Sequence, residues 1–425
     1  MRRPREAPAV DLDLAAGESD GIDGQHGCGQ QRTRLLDYSA RRVLEAAEAS
    51  YGWLERGLGK LLDRAVVRRL AAPGGVAVVA VGGSTLGGSG KTPLAIECAA
   101  ELARAGARVA LVGHAYRADP RRPRLVSAED RLGDVGDEAL LAARALAPFG
   151  GRVVVAPSRA AAIALAAEWA DVLVLDGIAQ LAPVPATLAL LSVDAEDPWG
   201  RQSVLPSGTL RAPVGTLVSA CDAVVPAGDA EAQEAEVSHG VLTAALGAVR
   251  KNMWPARVES RGVWVDEGAL MTWEAMRSLR VGLLVALGRP ERLVRSLGRR
   301  GVVPRAIVRA RDHGPFGGRS RFAALRAGIR GIDVWLATPK CALHAAARLP
   351  ELRLAVLDHS LALHPRLRNH LRAIAHAACL TGAGGTNSLE LLESTRIVRG
   401  VTAPYMPSAR PLAASGGMMM MRPRA

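Results

Sequence analysis

Aromatic residues make up only 3% of the 425-residue chain. That is too few for the stacking platforms on which single-stranded nucleic acids lie, and no nucleic-acid partner is expected. The five cysteines, Cys28, Cys98, Cys221, Cys341 and Cys379, are odd in number and never form a C-x-x-C pair. This pattern excludes a disulfide framework and a paired-cysteine zinc site, and it fits a reducing compartment. No uninterrupted apolar run approaches the roughly 18–20 residues of a membrane span. The charged start, "MRRPREAPAVDLDLAAGESDG", is not followed by an apolar signal core. A cytosolic chain that does not cross a membrane is therefore expected.

Acidic residues are outnumbered. The formal net charge is +13 and the sequence pI about 10.4, which suits an anionic partner. Hydrophobic residues reach 49%, enough for a large core, and the length allows two or three domains.

Residues 1–33 are polar and read as a disordered extension. Residues 34–72 read as an amphipathic helical region. Leu36, Val43, Tyr51, Leu54, Leu58 and Leu61 fall near one face, and Arg41, Arg42, Arg56, Lys60 and Arg64 mostly elsewhere. Such a helix packs on its own domain or lies on anionic lipid, and the pattern alone leaves both open. Across 73–253, apolar runs such as "VAVVAV" (76–81), "RVALVG" (108–113) and "DVLVLD" (171–176) alternate with helical stretches. That alternation predicts a parallel sheet covered on both faces. Residues 254–268 read as a two-stranded linker, 269–379 as a smaller second α/β domain, and 380–425 as a largely irregular tail.

The richest chemistry lies in "GGSTLGGSGKTP" (82–93), which follows the first apolar run and opens a helix. A glycine-rich strand–turn–helix points backbone N–H groups at a phosphate, and the helix dipole adds positive charge. Gly87, Gly88, Ser89 and Gly90 would cradle the phosphates. Lys91 would reach the β- and γ-phosphates, and the Thr92 hydroxyl would bind Mg²⁺. Thr85 stands where the general phosphate loop has its first glycine. Partition-type ATPases carry an additional upstream lysine, which is missing here. Asp137 and Glu138 open a later helix, where they either serve a cation or stabilise the helix start. Asp176 ends a strand, as a metal-side carboxylate does, or caps the next turn. Arg211 sits in the Gly/Pro loop "LPSGTLRAP", and Asp312 and His313 in "RDHG".

Taken in order, these pieces resemble the tetraacyldisaccharide 4′-kinase family. Its G-N-x-T-x-G-G-[TS]-G-K-T-P has Thr at the place of Thr85. Its V-G-D-E-P is similar to "VGDEA" (135–139), its V-A-P-x-R to "VAPSR" (155–159), its L-P-A-G-P-L-R-E to "LPSGTLRA" (205–212), and its G-x-G-N-P-E-R-F to "ALGRPERL" (286–293). The resemblance runs from about residue 36 to about 345.

It implies a phosphate-loop NTPase-like domain, a smaller α/β domain, and an N-terminal amphipathic helix at the cytoplasmic face of the inner membrane. It implies ATP- and Mg²⁺-dependent phosphorylation of the 4′-hydroxyl of an acylated glucosamine disaccharide 1-phosphate. It makes Asp137 the candidate base with His313 as its partner, and keeps Lys91 with the phosphates. Thr92, Glu138 and Asp176 fall on the metal side, Tyr116 and Arg211 on the substrate side. It also raises the lipid reading of residues 34–72.

The chain departs from the family where D-D-G-x-Q-H reads "LDGIAQL" (175–181), placing Leu175 at the first Asp. His114 replaces an Arg, Ala212 the Glu after Arg211, and Gly314 the last His of D-H-H. Pro339 and Cys341 replace both acids of T-E-K-D. These losses leave a second reading, a catalytically impaired homologue that binds nucleotide or membrane.

Overall fold

The computed structural model describes residues 10–12, 75–113, 115, 118–177, 186–200, 202–204, 207–229, 252–265, 268–329, 331–346 and 348–382. The helical region expected at 34–72 lies outside the described residues.

The apolar runs of the first half become strands β2 (Ala77–Gly83), β3 (Val109–Val112), β5 (Arg152–Val155), β6 (Val172–Asp176), β7 (Leu188–Asp194) and β8 (Ala223–Gly228). They pair in parallel in the order β8-β7-β2-β6-β3-β5. Every residue of β2, β6 and β7 is buried. These strands read as unbroken apolar runs because both faces of a parallel sheet are covered. Helices α1 (Lys91–Arg104), α2 (Leu132–Val135) and α3 (Asp137–Leu146) pack with one apolar layer, and α4 (Arg159–Ala167) and α5 (Val214–Ser219) with the other. The antiparallel strand β4 (Arg124–Leu125) ends one edge, and β9 (Asn252–Met253) adds to β8.

The second sheet contains β13 (Val281–Val285), β14 (Ala306–Arg309), β15 (Val334–Ala337) and β16 (Leu354–Leu357), all parallel. Its helices are α6 (Trp273–Arg277), α7 (Pro290–Arg299), α8 (Gly318–Ile329) and α9 (Pro339–Ala346). Each sheet thus has its own pair of apolar layers, as α/β/α sandwiches require.

Three features differ from the sequence-based boundaries. Val10–Leu12, within the stretch expected to be disordered, forms strand β1 parallel to β14. It covers backbone groups that an edge strand would otherwise expose. The linker strands, β10 (Ala256–Glu259) and β11 (Gly262–Val265), do not pair with each other. β10 extends the first sheet beside β8, whereas β11 extends the second between β16 and β12 (Ala269–Thr272). The crossover therefore stitches the sheets together through backbone hydrogen bonds on both sides.

Finally, β17 (Ser360–Ala362) and α10 (Pro365–Gly382) return to the first sheet. Leu367, Leu371, Ile374, Ala375 and Ala378 recur at helical spacing and join the apolar layer of α1. Arg372 Nε donates to Glu101 Oε1 of α1 at 2.7 Å.

Candidate active site

The phosphate loop joins the C-terminal end of β2 to α1, at the end of the sheet where α/β folds gather their ligands. Gly90 is the α1 N-cap, with φ of 74°. A side chain there would be strained, and its Cβ would stand 3.2 Å from that of Ala227. No side chain caps α1 and no acidic residue occupies its first turn, so the positive helix end suits an anion.

Thr85 has a different job from the one its place in the motif suggested. It is buried, and its Oγ1 donates to Gly87 O at 2.7 Å, so it braces the loop from within. Ser192 Oγ of β7 donates to Ser89 O at 2.6 Å. Arg211 Nε donates to Thr85 O at 3.0 Å. The arginine assigned to substrate therefore holds the base of the loop.

Thr92 Oγ1 donates to Asp176 Oδ2 at 2.8 Å. The other oxygen, Asp176 Oδ1, is buried with no partner among the described residues. Burial, then the nearby charge of Glu138, push the Asp176 pKa up, against the opposing pull of Lys91. A carboxyl group with one unused oxygen beside a hydroxyl is a hard-oxygen donor set that fits Mg²⁺, whose charge would favour the ionised form. The described residues hold no cluster of three or more His, Cys, Asp or Glu that could bind a metal. A phosphate-loop site needs none, because Mg²⁺ keeps waters and takes phosphate oxygens. Lys91 Nζ lies 3.7 Å from Glu138 Oε1, which keeps Glu138 beside the same loop.

Across the sheets, Asp137 at the start of α3 meets two histidines from the second sheet. His313 Nδ1 is 3.0 Å from both Asp137 oxygens, and His344 Nε2 of α9 is 3.0 Å from Oδ2. Burial works to raise the Asp137 pKa. The hydrogen bonds from the two imidazoles and the Lys340 charge more than offset it, so the carboxyl is held well below the usual carboxylate range. Lys340 Nζ, also on α9, lies 3.0 Å from both Asp312 Oδ1 and His313 Nε2.

His313 is presented by a tight turn in which Gly314 N donates to Arg311 O at 2.7 Å. His313 itself has φ of 54°, an uncommon value for a side-chain-bearing residue and one that marks a functional constraint. A Cβ at Gly314 would lie 2.7 Å from Arg311 O, so glycine fits the turn as it stands here.

Arg289 and the arginines of α7 meet Asp194, at the end of β7, and the acids that follow β7 and β8. Arg292 lies 2.5 Å from Asp194, Arg289 2.9 Å from Asp197, Arg295 2.5 Å from Glu196 and Arg299 2.6 Å from Asp229. Arg292 Nη1 also donates to Gly88 O at 3.3 Å. The two walls enclose a cavity of about 520 Å³, lined by the phosphate loop, Glu138, Arg292, Asp312, His313 and Lys340 among others.

The family model described as tetraacyldisaccharide-1-P 4′-kinase matches residues 40–376. A tetraacyldisaccharide 4′-kinase of Methylobacterium is 35% identical over 334 residues, covering 77% of this chain and 93% of the relative. One from Anaeromyxobacter is 35% identical, covering 76% and 88%. The chain belongs to the tetraacyldisaccharide 4′-kinase family. A crystal structure of "apo" form LpxK from Aquifex aeolicus in complex with ATP shares the fold, with TM-score 0.57 at 20% identity. The match covers 80% of this chain and 99% of that one.

Within this kinase family's motifs, Lys91, Thr92, Glu138 and His313 converge on the cavity wall, with Asp137 and Asp176 buried behind them. Arg211 does not line the cavity. Tyr116 and His114 lie outside the described residues. Leu175 is fully buried in the apolar layer with Leu173, Ile163 and Val193, the layer opposite α1. Ala212 is buried in that same layer.

Pro339 and Cys341 build a helix start. Thr338 Oγ1 accepts from Cys341 N at 3.2 Å, with Pro339 just inside the helix. Burial pushes the Cys341 thiol pKa up, which makes it a packing group. His344, Lys340 and Arg292 were not assigned roles from sequence. The one signal for the first two was their i, i+4 spacing on α9, which puts them on one face.

Proposed function

We propose that this chain transfers the γ-phosphate of ATP to the 4′-hydroxyl of a tetraacylated glucosamine disaccharide 1-phosphate, with Mg²⁺, in lipid A biosynthesis. The observation that carries this is the meeting of two half-sites. The phosphate loop from the first sheet and the Asp312–His313 turn with Lys340 from the second face one cavity.

ATP lies with its phosphates on the loop amides and the N-terminus of α1, and Lys91 leaves Glu138 to contact the β- and γ-oxygens. Thr92 and Asp176 are the groups that hold Mg²⁺, which when bound neutralises phosphate charge. The 4′-hydroxyl gives its proton to the Asp137–His313 pair. Asp137 is buried behind the imidazole, so the proton arrives at the face of His313 that Lys340 now occupies, and Lys340 stays on Asp312. The hydroxyl oxygen bonds to the γ-phosphorus as the bond to the β-phosphate oxygen breaks, and ADP leaves. Little covalent work falls to the protein, so positioning and charge neutralisation dominate.

The substitutions at 175, 212 and 314 are accommodated by the fold around the site. The first two complete an apolar layer and the third closes a turn. We place the enzyme peripherally on the cytoplasmic side of the inner membrane, with residues 34–72 on anionic lipid. The +13 charge favours this, as does an acylated substrate whose chains stay in a bilayer. No described helix is long and apolar enough to cross a membrane.

The test is transfer of radiolabelled γ-phosphate to the disaccharide 1-phosphate in mixed micelles. Label at the 4′-position that requires Mg²⁺ is expected. ADP release with no labelled lipid contradicts the proposal.

A further inference from the structure

Asp137 is 4% exposed and is surrounded by donors. Glu138 N donates to Oδ1 at 2.8 Å, His313 Nδ1 shares its proton between both oxygens, and His344 Nε2 reaches Oδ2. An ionised carboxylate only accepts, so each ring nitrogen facing it carries a proton. That fixes Nδ1–H on His313, leaving its Nε2 to accept from Lys340. It fixes Nε2–H on His344.

His313 and Lys340 line the cavity, whereas His344 does not. His344 is 9% exposed and touches the reaction only through Asp137. It sits one turn after Lys340 on α9, so a single helix of the second sheet grips both members of the dyad: Lys340 on the far nitrogen of His313, His344 on Oδ2 of Asp137. Without His344, Oδ2 keeps only its share of the His313 proton and the carboxylate plane is free to turn about that contact.

We propose that His344 is a positioning residue: it fixes the carboxylate plane of Asp137, and through it the tautomer and direction of the His313 ring. This rests on the Asp137–His313 pair being the proton acceptor. The two imidazoles reach Asp137 from the second sheet, so the aligned dyad exists only when the sheets are together.

The experiment uses the full chain, with steady-state kinetics on ATP and the disaccharide 1-phosphate. His344→Leu is expected to lower kcat by about 10–100-fold, as loss of an orienting partner does, with KM for ATP within about twofold. His344→Gln, whose amide N–H reaches toward the same oxygen, recovers most of that loss. Full kcat in His344→Leu overturns the proposal. So does equal loss in both variants with matching falls in melting temperature, which marks packing alone.

If His344→Leu does not fold, the ring ¹⁵N spectrum of the folded wild type decides. A protonated His344 Nε2 that shifts in Asp137→Asn is expected, and one indifferent to Asp137 overturns the contact. Absence of any transfer by wild type would instead sink the functional reading, and the ¹⁵N measurement would still report on His344.

Discussion

On the first-sheet side of the cavity the proposed phosphate-binding groups come from one short stretch, Gly87–Thr92, held by its own backbone and by buried neighbours such as Thr85 and Ser192. On the second-sheet side they come from three separated places: the Arg311–Gly314 turn, α9 and α7. The first wall is preformed by local geometry. The second is a set of charges that reach the reaction only across the interface, where they meet Asp137, Asp194, Glu196 and Asp229. In the proposed reaction one wall binds ATP, and the other completes the chemistry. Variants on the two walls should therefore fail differently.

The sharpest break is Asp137→Asn, which removes the carboxylate that supports His313 as the proposed proton acceptor while keeping its shape. Transfer is expected to fall by about 10²–10⁴-fold, with ATP affinity by calorimetry little changed. Lys91→Ala, on the opposite wall, is expected to cost about 10²–10³-fold and to weaken ATP binding in the same titration. Asp176→Asn should raise the Mg²⁺ concentration needed for half-maximal rate by about 10–100-fold, with the rate partly restored at saturating metal.

The interface gives a pH signature. The Asp137 pKa is held below its ordinary 3.8 by its donors. The folded state therefore favours the ionised form. Its stabilisation is fully present above the unfolded value and is lost as pH falls through the folded one. The stability gap between wild type and Asp137→Asn in urea melts should narrow only below about pH 4. A gap that closes at higher pH would show that the carboxylate is not so gripped. The smallest effect is Thr85→Gly, which restores the general loop motif and removes one hydrogen bond worth about 1 kcal/mol. ATP affinity should fall by no more than about tenfold.

The same contrast explains what the sequence could reveal. The parallel sheets were legible because apolar runs are a local signal, and glycine spacing and element ends singled out the phosphate loop, Asp137, Glu138 and Asp176 as the candidates that the fold brings together. His344 and the α7 arginines were not, since nothing local distinguishes a histidine aimed at a buried carboxylate from one aimed at solvent. Arg211 was read as a substrate group because its guanidinium suits phosphate; in the fold its Nε donates to a backbone carbonyl of the loop. Gly314 and Leu175 looked like losses. In the fold, Gly314 fits the tight turn that presents His313, and Leu175 faces the layer away from Thr92. The return of α10 to the first sheet escaped a linear reading, since segmentation along the chain assigns each helix to its nearest strands.

The central claim is that Asp137 joins the two walls into one catalytic unit. It is tested most directly by single-turnover transfer of radiolabelled phosphate from prebound ATP to the disaccharide 1-phosphate, comparing wild type with Asp137→Asn at saturating ATP and Mg²⁺. The account predicts rapid 4′-labelling by wild type and a variant that retains ATP but labels at least about 10²-fold more slowly. Equal single-turnover rates would contradict it.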